Sequence, residues 1–145
     1  PQEAIEVGPY QIDPQSRSLR IEGQLIKLTD KEFELALYIF NHIGRLLPRN
    51  QILANVWGYE SDVNTRTVDT HISRIRKKLD LTPENGWRLS SIYNQGYRLE
   101  KLSSDDIVKQ AGYASARISW PFVYPLVEFV TVPVKTARYF PIHNY

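Results

Sequence analysis

Thr65-Arg66-Thr67-Val68-Asp69-Thr70-His71-Ile72-Ser73-Arg74-Ile75-Arg76-Lys77-Lys78-Leu79 decides how this chain is read. Val68, Ile72, Ile75 and Leu79 stand at i, i+4, i+7 and i+11. At about 100° per residue that spacing stacks four aliphatic side chains along one stripe of a helix. Arg66, Thr70, Ser73, Arg74 and Lys77 then project from roughly the opposite side. One face is made to be buried, and the other carries cations and short hydrogen-bonding groups. Cations suit phosphates and small or forked polar groups suit base edges, so this is the chemistry of a helix that enters a DNA groove. A solvated amphipathic helix carries the same charge, and the flanking sequence has to separate the two.

Downstream, Pro83-Glu84-Asn85-Gly86 reads as a turn. Trp87-Arg88-Leu89-Ser90-Ser91-Ile92 and Gly96-Tyr97-Arg98-Leu99 read as strands joined at the tip Tyr93-Asn94-Gln95. Upstream, Arg49 or Asn50 opens a helix with Ile52, Leu53, Val56 and Trp57, stopped by Gly58, and Tyr59 to Asn64 is a short polar loop. Trp57 fits a packing role better than a binding one at this spacing. Helix, short turn, basic helix and hairpin together make a winged helix-turn-helix, with the hairpin as the wing.

Before this unit, Thr29-Asp30-Lys31-Glu32 is a capping box. It opens a helix that runs to about Asn41, with Phe33, Leu35, Ala36, Leu37, Ile39 and Phe40 as its apolar face and Gly44 as a C-cap glycine. Arg45-Leu46-Leu47-Pro48 is an extended link. Ahead of the helix, Ala4 to Val7, Tyr10 to Asp13, Ser18 to Ile21 and Gln24 to Leu28 alternate apolar and polar residues around Gly8-Pro9 and Glu22-Gly23. They predict an antiparallel sheet of up to four strands.

Hydrophobic residues make up 42% and charged residues 23% of 145, the composition of a globular domain with room for an appendage. The chain has no cysteine, so neither a disulfide framework nor thiolate chemistry is available. His42, His71 and His143 lack metal-ligand spacing, and no metal or other cofactor is expected. Asp69 and His71 lie two apart on a helix and do not face each other, no phosphate loop or carboxylate pair appears, and catalysis is not expected. Asp69 is expected to hold a neighbouring arginine in place.

A net charge of +2 is too mild to name a partner, but its distribution is uneven. Pro1 to Asp62 has 6 Lys or Arg against 9 Asp or Glu (−3), whereas Val63 to Lys101 has 8 against 4 (+4). The excess cations surround the basic helix, a local electrostatic footprint for nucleic acid.

Four blocks extend the reading. Leu28-Thr29-x-x-Glu32-Phe33-x-Leu35, Val56-Trp57-Gly58, Arg66-Thr67-Val68-Asp69-x-His71-Ile72-x-x-Ile75-Arg76-Lys77-Lys78-Leu79 and Gly96-Tyr97-Arg98-Leu99 occur in order. In this the chain resembles the OmpR/PhoB family, the winged-helix DNA-binding effector domains of bacterial two-component response regulators, over about Ile5 to Lys101. The resemblance implies an α+β fold: an N-terminal four-stranded antiparallel sheet, a three-helix core and a C-terminal β-hairpin wing. It implies that the helix Arg66 to Leu79 lies in the major groove of double-stranded DNA, with Arg74 reading bases. Arg66, Thr67, His71 and Arg76 match positions that touch the phosphate backbone. For His71 a plain hydrogen-bonding helix residue is an equal alternative. It further implies direct-repeat sites bound as a tandem dimer, and RNA polymerase contact through the loop Tyr59 to Asn64.

The chain departs from this pattern in two places. Tyr93-Asn94 stands where relatives carry Arg-Gly at the wing tip, which removes a minor-groove cation; Tyr93 can still stack or hydrogen-bond at the backbone, or simply face solvent. Ser73 replaces a frequently basic residue, which lowers non-specific phosphate attraction. No receiver domain precedes Pro1, the chain opens on Pro rather than Met, and no leader is evident, so an excised effector half or an orphan regulator, resident in the cytoplasm, is expected.

The resemblance divides the chain into a winged-helix domain over residues 1–102 and a C-terminal extension over 103–145. In the extension, residues 107–116 could form a short helix, and Ile118 to Val134 is apolar but holds Pro121, Pro125, Pro133 and Glu128. A packing or dimerisation arm fits this better than the membrane span of an anchored activator, and disorder fits less well. The competing reading of the whole is a winged-helix protein-interaction module with little affinity for DNA.

Overall fold

The computed structural model describes residues 2–106, so the expectations for 107–145 lie outside the described residues. The fold is α+β. Strands β1 (Ile5–Val7), β2 (Tyr10–Asp13), β3 (Ser18–Ile21) and β4 (Gln24–Leu25) form one antiparallel sheet in sequence order. Three helices follow, α1 (Asp30–Phe40), α2 (Arg49–Trp57) and α3 (Thr65–Lys78), then a 3-10 turn (Pro83–Asn85) and the hairpin β5 (Trp87–Ile92) with β6 (Gly96–Lys101).

The sheet is set by alternation. Ile12 faces Ile5 and Leu19 across its two neighbours, and Tyr10, Ile12 and Leu19 are buried while Gln11 and Arg20 between them are exposed. Glu22 and Gly23 both take positive φ (51° and 83°), the two-residue hairpin geometry that matches strand twist. β4 is shorter than the alternation predicts. Ile26 N–H still donates to Leu19 O at 2.9 Å, but the chain then leaves the sheet to enter the Thr29 cap.

That cap is complete. Thr29 Oγ1 accepts from Glu32 N, and Glu32 Oε1 accepts from Thr29 N at 2.9 Å. Glu32 is only 1% exposed and also receives Lys78 Nζ at 2.7 Å, so the first turn of α1 is tied to the last turn of α3. Burial alone would raise the Glu32 pKa; the Lys78 ammonium and the Thr29 N–H outweigh it and hold the carboxyl below its ordinary value of 4.5. A depressed folded-state pKa stabilises above the unfolded value and is lost as pH falls through the folded one. The melting-temperature advantage of the native chain over Glu32→Gln should therefore hold at neutral pH and shrink in a titration from pH 5 downward. An advantage independent of pH would remove the ion pair from the account.

α1 packs on α2 and α3, and α2 on α3. The shared core is Phe33, Leu35, Ala36, Ile39 and Phe40 with Ile52, Val56, Val68, Ile72, Ile75 and Leu79. Tyr10 joins the sheet to it, ring against Phe40 (5.1 Å) and hydroxyl donating to Leu79 O. Gly44 does not cap α1 as expected. Asn41 is the cap, its N–H reaching Leu37 O, and Gly44 (φ 85°) donates to Leu99 O at 2.7 Å. The extended link also does more than connect: Leu47 and Tyr97 exchange both backbone hydrogen bonds (2.8 and 3.0 Å), so β6 is bridged on the side away from β5.

The described residues divide into two compact units, 2–81 with 89–100 and 82–88 with 101–106. In the second, Trp87 N–H donates to Thr82 O (3.1 Å) and Leu102 N–H to Gly86 O (2.8 Å), and Trp87 and Leu102 are buried. No helix among the described residues is long and apolar enough to cross a membrane.

Candidate nucleic-acid interface

α3 begins one residue before the sequence reading places it. Asn64 caps it, Oδ1 accepting from Arg66 N at 3.0 Å, and Arg76, Lys77 and Lys78 sit in the last turn, where cations suit the carbonyl end of the helix dipole. Val68, Ile72 and Ile75 are buried, and the helix can therefore show only its other side.

That side carries five of the nine expected residues. Arg66, Thr70, Ser73, Arg74 and Lys77 are all exposed and share roughly 100° of arc. Arg66, Arg74 and Lys77 enter no ion pair among the described residues, whose carboxylates pair instead with Arg17, Lys31, Arg49 and Lys78. Thr70 Oγ1 donates to Arg66 O (3.1 Å), the i−4 back-bond that satisfies a helical threonine and leaves its methyl outward.

The other expected α3 residues occupy the shoulders and are half-buried. On one side, His71 Nδ1–H donates to Thr67 O at 2.9 Å, and its ring stands edge-on to Trp57 at 5.0 Å. Trp57 itself is half-buried. On the other side, Arg76 gives Nε (3.2 Å) and Nη2 (2.7 Å) to Leu89 O of β5, fixing the base of the wing to α3. Tyr93 lies apart, 85% exposed at the wing tip beside Asn94 in the left-handed region (φ 57°).

Sequence reasoning anticipates a neighbouring arginine for Asp69; the arginine it holds lies 20 positions upstream on α2. Asp69 Oδ1 accepts from Arg49 Nε at 2.8 Å and from the Tyr97 hydroxyl at 2.6 Å, joining α3 to the first residue of α2 and to β6. Burial, and then the bond to Asp69, push the Tyr97 pKa up, so the hydroxyl stays protonated and donating. The three residues stand 20 and 28 positions apart, and only the fold brings them together.

Residues 23–99 match the family model described as "Transcriptional regulatory protein, C terminal". The sensory transduction protein RegX3 of Mycobacterium leprae is 35% identical over 96 residues, covering 66% of this chain and 48% of RegX3. The transcriptional regulatory protein SrrA of Staphylococcus aureus is 33% identical over 108 residues, covering 74% and 45%. The chain thus spans about half the length of these curated relatives. Among solved structures, the Klebsiella pneumoniae RstA DNA-binding domain, in complex with the RstA box, superposes with a TM-score of 0.59 at 30% identity, covering 68% of this chain and 98% of that one. With its family model matched from β4 through the three helices and into the wing, the chain belongs to the transcriptional regulatory protein C-terminal family of OmpR/PhoB-type winged-helix domains.

Proposed function

We propose that this chain reads double-stranded DNA in a sequence-specific manner, as the effector domain of a two-component response regulator or of an orphan relative. The observation that carries this is the exposed row Arg66, Thr70, Ser73, Arg74 and Lys77, displayed by a helix whose opposite stripe is fully buried. Lys77 and Arg66 attract phosphates, and Arg74, whose guanidinium fork matches the acceptors of a guanine edge, reads bases. Thr67 and His71 on one shoulder, and Arg76 and Tyr93 toward the wing, border the same contact. The winged-helix domain spans residues 1–102, and 103–145 form an extension that packs on the domain, a dimer mate or a partner.

Two domains bind in tandem on a direct repeat, and the loop 59–64, where Tyr59 is exposed, meets RNA polymerase. The protein works in the bacterial cytoplasm, without a cofactor, a metal or a small-molecule substrate, and is not an enzyme. Selection from a random duplex library tests the core of this reading. It should return a repeated motif with half-sites about one helical turn apart, bound far more tightly than a scrambled control. Negligible affinity even at low salt would leave the protein-interaction reading in its place. On the selected site, Arg74→Ala should cost about 1–3 kcal/mol and relax preference at one position, while Lys77→Ala weakens every sequence alike. Unchanged preference in Arg74→Ala would mean that α3 enters DNA in another orientation.

A further inference from the structure

Beside the α3 row lies a cleft of about 330 Å³ lined by Pro48, Arg49 and Asn50 at the start of α2, Thr65 at the start of α3, and Asn94 and Gln95 at the wing tip. We propose that this cleft seats one phosphate of the DNA backbone, with Arg49 as its cation; the inference rests on the DNA-reading role proposed above. Apart from the proline, every lining residue brings a polar side chain, and none is a carboxylate, so nothing in the lining repels an anion.

Arg49 is built for such a task. Its side chain is 41% exposed, yet its Nε is fixed on Asp69, which the Tyr97 hydroxyl fixes in turn. A guanidinium has five N–H donors, so even with Asp69 and Tyr97 both beside Arg49 it keeps donors for an outside acceptor. An arginine already held by its neighbour loses less side-chain freedom on binding than a free one, which favours phosphate capture. The wing tip, Tyr93-Asn94-Gln95, has no charge of its own. Arg49 supplies a cation to the cleft from across it, and the amides of Asn94 and Gln95 supply neutral donors.

The test is the slope of log affinity against log salt for the whole chain on its selected duplex, since each neutralised phosphate contributes about 0.9 to that slope. Arg49→Gln should flatten the line by about that amount and leave base preference unchanged. Gln95→Lys, on the opposite lip and clear of Asp69, should steepen it, and it keeps the question answerable if Arg49→Gln fails to fold. A folded Arg49→Gln with the native slope, or Gln95→Lys with no steeper one, overturns the assignment. In either case a native chain that still prefers its selected site leaves the DNA-reading role standing. A native chain with no such preference removes both.

Discussion

Gly96→Ala is expected to lower the melting temperature by more than the same change at Gly23, Gly44 or Gly58. A Cβ built on Gly96 would lie 2.1 Å from Leu47 O and 2.8 Å from Pro48 Cα, where φ is +146°, a value L-residues avoid. These neighbours are backbone and cannot swing aside, because Leu47 is bridged to Tyr97 through both hydrogen bonds. Backbone strain of about 1–3 kcal/mol adds to an overpacking cost of about 1–3 kcal/mol. Together, about 2–6 kcal/mol, they amount to about 10–30 °C in a domain of about 100 residues. Gly23→Ala is the control. It too sits at positive φ (+83°) but with nothing within 4 Å, so it reports positive-φ strain without the clash. If thermal unfolding shifts equally in both variants, close approach of β6 to the α1–α2 link plays no part in holding the wing.

That close approach marks where sequence reading stops. The apolar period of α3, the capping box at Thr29 and the turn at Glu22-Gly23 are local signals, and each element they predict is present within a residue or two. Gly96 is legible only as the start of a strand, because what forbids a side chain there arrives from 49 residues upstream. The same holds for the shoulders of α3. Arg76 and His71 look like free surface groups on a helical wheel, yet Arg76 gives two N–H groups to Leu89 O and His71 binds Thr67 O and stands against Trp57. Arg49, by contrast, reads as an ordinary first-turn residue, and its pairing with Asp69 is fixed by how α2 and α3 cross. Periodicity predicts which face is buried; it is silent on which polar groups that burial brings within reach of one another.

Ile75→Ala separates the two halves of the argument most sharply, because its neighbour in sequence has the opposite role. Ile75 is 0% exposed and belongs to the stripe that seats α3 on α1 and α2. Removing its outer carbons should cost about 2–5 kcal/mol, the transfer term plus the cavity left in a close-packed core. Arg74, one residue earlier, is exposed and unpaired among the described residues, so Arg74→Ala should change stability by no more than about 0.5 kcal/mol while loosening DNA binding. The expected pattern is therefore crossed. Ile75→Ala shifts the denaturant midpoint strongly but, at temperatures where it remains folded, binds the selected duplex with native preference. Arg74→Ala melts as the native chain does and loses preference at one base position. Measuring both variants by urea unfolding and by titration with the selected and scrambled duplexes decides the matter. Should Ile75→Ala alter base preference while fully folded, burial of that stripe would be setting the position of α3 in the groove and not merely its stability. Should Arg74→Ala destabilise the fold by several kcal/mol, the exposed row would be structural, and the case for a DNA-reading face would lose its central residue.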